Sequence, residues 1–159
     1  MLTIADLKDI IILSYLTDEM LERVLPVTDV LRYDQGDLVF RGGDPAERFY
    51  FLKRGKLLLE QRISDKITFS LGAVKPGYSF GWSAMLEGHL TYTTDTVCSE
   101  PCEVYSIRGV KIRNLLDSDP HMGYIFMRRM LWVVKDRLDH RTRQLVRVLR
   151  NHPDIENLL

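Results

Sequence analysis

"GDLVFRGGDPAERFYFLKRGKLLLE", residues 36–60, alternates short apolar runs with turn chemistry. Asp34-Gln35-Gly36 precedes one run, Gly42-Gly43-Asp44-Pro45 follows it, and Lys53-Arg54-Gly55 closes the next. Glycine, proline and aspartate at those places supply the backbone freedom and fixed φ that tight turns demand. The runs between them are rich in β-branched and aromatic residues, as strands are. The same rhythm continues in both directions. "DVLRY" comes before, and "KITFSLGAV", "DTVC" and "CEVYSI" come after, with turns at Ser64-Asp65, Lys75-Pro76-Gly77 and Ser99-Glu100-Pro101. About eight short strands at roughly ten-residue spacing predict an antiparallel roll or barrel and argue against a βαβ sheet.

Helical patterns flank the strands. Ile4, Leu7, Ile10, Ile11, Leu13 and Leu16 predict a first helix, and Thr17 is placed to cap a second, "DEMLERVLP", that stops near Pro26. After Asp119, Pro120 suits the start of a long helix. Its apolar positions Tyr124, Met127, Leu131, Val134, Leu138, Leu145 and Val148 alternate by four and three, with Arg141 on the one missing seam position. That stripe runs for about three and a half heptads. It is narrow and long, which favours a homodimer through 124–148 over packing against the chain's own β-domain. Between Arg128 and Arg150 eight basic residues face two acidic ones, Asp136 and Asp139. The divisions expected are helices and β-roll over 1–118, a long helix over 119–150 and a tail over 151–159.

Composition bounds the function. A chain of 159 residues with 45% hydrophobic and 28% charged content suits one globular domain. Its zero net charge gives no overall bias toward nucleic acid. No apolar run approaches a membrane span and no signal peptide is evident, so a cytoplasmic address is expected. Cys98 and Cys102 are expected to be free thiols, and no metal site follows from their spacing. No nucleophile elbow, phosphate-binding loop or zinc motif occurs, so the chain is not expected to be an enzyme.

Residues 36–60, with "PGYSFG" at 76–81 and "CEVYSI" at 102–107, resemble the cyclic nucleotide-binding domain of the catabolite activator protein and the regulatory subunit of cAMP-dependent protein kinase. The resemblance spans about residues 15–118 and implies a fold that is mainly β with flanking helices. Its centre would be an antiparallel jelly-roll-like β-roll, followed by a long C-terminal dimerisation helix. It also implies that "SFGWSAMLEGHLTYTTD", residues 79–95, is the loop that wraps a cyclic phosphate. The candidate ligand-binding residues there are Phe80, Gly81, Trp82, Ser83, Ala84, Thr91, Tyr92 and Thr93, with Arg141 and Thr142 as contacts from the long helix. Members that bind cyclic nucleotides carry a glutamate after the glycine and an arginine further on. Aligned without gaps, this chain has Trp82 and Thr91 in those places.

The expected function is therefore small-ligand sensing by a regulatory module with altered ligand specificity. Candidate ligands are cAMP, cGMP or another small metabolite, and no resident cofactor is expected. The alternative is a ligand-free interaction scaffold acting through the basic C-terminal helix. His89 reads as an exposed turn residue. Regulators of this kind place a DNA-binding domain after the long helix. Only "NHPDIENLL" follows Arg150, so no such domain is expected in this sequence.

Overall fold

The computed structural model describes residues 1–152; most of the tail assigned to 151–159, from residue 153 on, lies outside the described residues. Two four-stranded antiparallel sheets face each other. The first has the order β1 (Thr28–Tyr33), β8 (Cys102–Arg108), β3 (Arg48–Arg54) and β6 (Ser79–Phe80). The second has the order β2 (Leu38–Phe40), β7 (Asp95–Cys98), β4 (Leu57–Ser64) and β5 (Ile67–Val74). Strand β3 is the hinge of the packing. Successive strand residues point to opposite faces, so Phe49 and Phe51 enter a core under the helices while Tyr50 and Leu52 enter the interior of the roll. Burial on both faces explains why "RFYFL" shows no polar alternation.

Beyond Glu60 the β4–β5 hairpin leaves the body of the roll, and Ile63, Ile67 and Phe69 lie exposed on it. Cys98 and Cys102 are both free and buried. Burial, and next the neighbouring Cys102, pushes the Cys98 thiol up to about 12, so it stays protonated and inert at neutral pH.

The first helix is shorter than its apolar spacing suggests. Helix α1 covers Ile4–Lys8, and residues 9–16 continue as turns whose Ile10, Ile12 and Leu13 are fully buried. Tertiary partners replace the helical ladder there. Ile11 N–H donates to Gly77 O at 2.9 Å, and Asp9 takes a 2.7 Å bond from Lys53 Nζ on β3. Helix α2, Asp18–Val24, is capped as expected by the Thr17 hydroxyl, which accepts from Met20 N–H at 3.3 Å.

Helix α3 (Gly109–Ser118) leads into α4 (Pro120–Arg150). Asp119 caps α4 by accepting from Met122 N–H at 3.0 Å and also pairs with Arg23 at 2.9 Å. The Met122 bond first, and then Arg23, hold the Asp119 carboxyl below its ordinary value. A carboxyl with a depressed folded value stabilises the fold above the unfolded value near 4 and loses that contribution as pH falls through the folded one. Asp119→Ala is therefore expected to melt below the parent at pH 7. The gap should narrow progressively as pH falls below about 4, and thermal melts at pH 7 and through the acid range would check it.

Helix α4 carries two apolar stripes. Met122, Phe126, Met130 and Val133 are buried against the roll and the N-terminal segment. The heptad stripe is a different one: Tyr124, Met127, Leu131, Leu138, Leu145 and Val148 are exposed, Leu131 by 69% and Leu138 by 60%, and Val134 is half-buried. Most of the seam thus stays exposed, while Val134 packs against the core. None of the described helices is long and apolar enough to cross a membrane.

Candidate functional site

Between the 79–95 segment and the inner side of α4 lies a cavity of about 510 Å³. Its floor is β6. Phe80 is fully buried and stacks on Tyr50 with ring centroids 5.1 Å apart. Gly81 then takes φ +72°, a left-handed conformation that L side chains rarely adopt. A Cβ there would meet Tyr50 Cδ2 at 2.8 Å and Arg48 O at 3.1 Å, so only glycine fits both the turn and the space.

The chain turns at Gly81 into a short 3₁₀ helix, Trp82–Met85. Its far end is pinned to α3. Ala84 O accepts from Arg113 Nη1 at 2.5 Å, and a Cβ on Gly109 would sit 2.2 Å from that carbonyl oxygen. Ala84 is buried in this anchor and does not line the cavity, whereas Phe80, Gly81, Trp82 and Ser83 do.

The returning arm is tied to the Gly-Asp-Pro turn. Thr91 bridges Pro45, Tyr92 N–H donates to Asp44 O at 3.0 Å, and Gly43 N–H donates to Tyr92 O at 2.8 Å. Tyr92 is a fixed wall. Its ring stacks on Phe40 with centroids 3.8 Å apart, and its hydroxyl donates to Arg48 O at 2.8 Å while accepting from Arg48 N–H at 3.0 Å. Burial raises this phenol above its ordinary value. Thr93 lines the cavity with Thr94, while Thr91 is exposed outside it. His89 is exposed too.

Trp82 is packed and a wall of the cavity at once. Its Nε1–H donates to Ser79 Oγ at 3.0 Å, and one face is covered by the Arg137 guanidinium at 4.0 Å from the ring centroid. Arg137 also donates from Nη2 to Ser79 O at 3.1 Å, so this one side chain latches α4 to β6. Burial, and next the charge of Arg141, brings Arg137 down to about 10, still cationic at neutral pH. Arg141 lines the same cavity, is itself lowered by burial, and has a buried Nη1 with no hydrogen-bond partner among the described residues. Thr142 faces elsewhere: its hydroxyl donates to Leu138 O at 2.9 Å, and it lines a separate groove with Arg143 and Arg147.

Reading the sequence singled out Arg141 and passed over Arg137. The signal was present, because residues four apart share one face of a helix. Met127, Met130, Leu131 and Val134 complete the helix side of the cavity. Three of them, Met127, Leu131 and Val134, also belong to the heptad stripe, so the cavity and the seam adjoin.

Comparisons with known proteins agree with this architecture. The family described as "Cyclic nucleotide-binding domain" matches residues 30–119, more than half of the chain. Among solved structures, a cyclic nucleotide-binding domain from Methylobacillus flagellatus superposes with a TM-score of 0.79 at 15% identity, covering 94% of this chain and 84% of that one. A candidate cyclic nucleotide-binding protein from Geobacter metallireducens gives 0.75 at 22% identity, covering 87% and 99%. The sensor domain of the transcriptional regulator DNR from Pseudomonas aeruginosa gives 0.67 at 18% identity, covering 80% and 90%. No curated protein matches the chain. The chain belongs to the cyclic nucleotide-binding domain family, in the two-sheet roll form with a long C-terminal helix.

Proposed function

We propose that this chain senses a small ligand other than a standard cyclic nucleotide and reports occupancy through α4. The observation that carries the proposal is the Arg137 latch. One side chain of α4 covers Trp82, bonds Ser79 O and lines a 510 Å³ cavity, so a ligand bound there must compete with it or pack against it. Cavities of this size, mostly apolar with a few convergent polar groups, are what small-molecule sites present. A ligand with different affinity for the latched and unlatched states would shift their populations.

The exposed heptad stripe supplies the output. It would pair with a second copy to form a two-fold homodimer, and a displaced α4 would change the seam geometry. A cytoplasmic regulatory role without enzymatic chemistry accords with that arrangement.

Trp132→Phe leaves Trp82 as the only tryptophan, placed to report on the cavity. Titration with metabolite pools is expected to change its emission saturably and to shift the dimer dissociation constant measured by sedimentation. Leu138→Asp is expected to yield a monomer that keeps the emission change. A ligand that alters Trp82 but leaves dimerisation untouched would remove the signalling role. Silence toward every pool would favour the ligand-free scaffold.

A further inference from the structure

We infer that the cavity is built for an amphipathic organic anion, with its apolar body against the roll and its carboxylate or phosphate-ester head on Arg137 and Arg141 of α4. The inference rests on the sensing function proposed above and names the class of ligand. In the arrangement implied by the family resemblance, the anion is held from the 79–95 side. Here the cationic groups come from α4.

Three observations lead to it. First, the large chamber is apolar over most of its surface, with Phe40, Phe80, Met85, Met130, Leu131 and Val134 as walls, and among the described residues no carboxylate lines it. A small inorganic ion would leave those walls unused. Second, the charge at its end is uncompensated. A smaller chamber of about 210 Å³ on the β5 side shares Leu59, Arg137 and Arg141 with the large one. Lys75, Arg137, Arg141 and Arg143 line the smaller chamber against the single carboxylate of Asp136, with His140 beside them.

Third, the donors are unspent. Arg141 Nη1 is buried without a partner among the described residues, and Arg137 uses one of its donors on Ser79 O. A guanidinium carries five N–H donors in a planar fork matched to carboxylate and phosphate. Burial lowers both arginines from their ordinary value, and for Arg137 the nearby Arg141 charge lowers it further while Asp136 opposes the shift. A neutral apolar ligand would leave that cost in place, whereas a bound anion would relieve it.

Decanoate and decanol share one apolar chain and differ in the head group. With inorganic phosphate as the charge-only probe, they separate the terms by calorimetry on the whole chain. Decanoate is expected to bind saturably and about tenfold to a hundredfold more tightly than decanol, the gain typical of hydrogen bonds to a charged group. Phosphate alone is expected to give no heat at millimolar concentration.

Arg141→Gln should shrink the ratio of decanoate to decanol affinity, and Arg141→Lys should restore part of it. Thr94→Trp, at the cavity wall, should block both. Equal affinity for decanoate and decanol in the parent protein, a comparison that needs no variant, would overturn the anion assignment and leave ligand sensing standing. Phosphate binding as tightly as decanoate would replace it with a simple anion site. If neither chain binds, the inference falls, while the Trp82 titration still decides the sensing function independently.

Discussion

Phe126→Ala is expected to lower the unfolding free energy by about 3–5 kcal/mol, the usual cost of removing a large aromatic from a packed core. Phe126 is fully buried and meets Phe49 edge-on with centroids 6.1 Å apart, and Phe49 in turn meets Phe51 at 4.9 Å. It is the largest residue of the inner stripe of α4, between Met122 and Met130, so no neighbour on the helix can fill the space it leaves. A loss of that size is a large share of the roughly 5–15 kcal/mol that holds a domain of this kind together. A helix loosened about three turns before Arg137 would hold it at Ser79 less firmly, so the ligand response proposed above should weaken along with stability. Denaturant melts would measure the loss, with Leu138→Ala as the contrast, since an exposed position should change a monomer by about 0.5 kcal/mol or less. A loss below about 1 kcal/mol for Phe126→Ala would mean that α4 does not rest on the roll through this stripe.

The β-roll was legible because its turns are chemical statements. Gly36, Gly43, Gly55 and Gly77 all adopt positive φ, and each stands in a turn that the sequence announces. Strand β3 was legible as apolar but not as two-faced, since a continuous run looks alike whether one or both faces are covered. Helix α4 misled in a more instructive way. A four-and-three alternation picked out the exposed seam from Tyr124 to Val148, while the residues that hold the helix to the roll are Met122, Phe126, Met130 and Val133. Both stripes are apolar, and only contact with the sheet tells them apart. At the N-terminus, apolar spacing suggested a helix through Leu16, but Lys53 and Gly77 offer partners to Asp9 and Ile11 that a sequence pattern cannot show.

The site was half legible. Phe80, Gly81 and Trp82, all named from the sequence, line the cavity. The bonds that fix Tyr92 cross 44 residues to Arg48, a separation at which no local spacing carries information. Thr142, named with Arg141 as a helix contact, faces a different groove, since a helix presents residue i+4 and not i+1 to the same neighbour. Arg137 is the residue that this rule recovers. The eight basic residues of α4 are also less of a free face than their number suggested. Arg137 and Arg141 line the cavity, Arg129 lies 3.6 Å over the Tyr15 ring, and Lys135 pairs with Asp139.

cAMP carried to millimolar concentration is expected to leave this chain unstabilised. In the nucleotide-binding arrangement that the family resemblance implies, a glutamate follows the glycine and an arginine holds the phosphate; here Trp82 and a threonine stand in their places. A hydrogen bond to a charged group contributes about 1.5–3 kcal/mol, so losing both removes roughly 3–6 kcal/mol, or about two to four decades of affinity. The structure adds a steric reason. Trp82 is held by Ser79 Oγ beneath it and by the Arg137 guanidinium above it, so clearing it for a ribose would break both contacts. Arg137 and Arg141 reach the cavity from α4, and Arg137 is already engaged with Ser79 O and the Trp82 ring, so neither stands where the resemblance puts the phosphate arginine. A ligand occupying a site at a hundredfold over its dissociation constant stabilises by about 2.7 kcal/mol. Calorimetry and thermal melts with cAMP and cGMP would detect a far weaker site than that. Micromolar binding of either nucleotide would mean that α4 arginines substitute for the missing pair, and would return the chain to ordinary nucleotide sensing. With no response from either nucleotide, the altered wall around Trp82 and Arg137 becomes the determinant of what this member of the family detects.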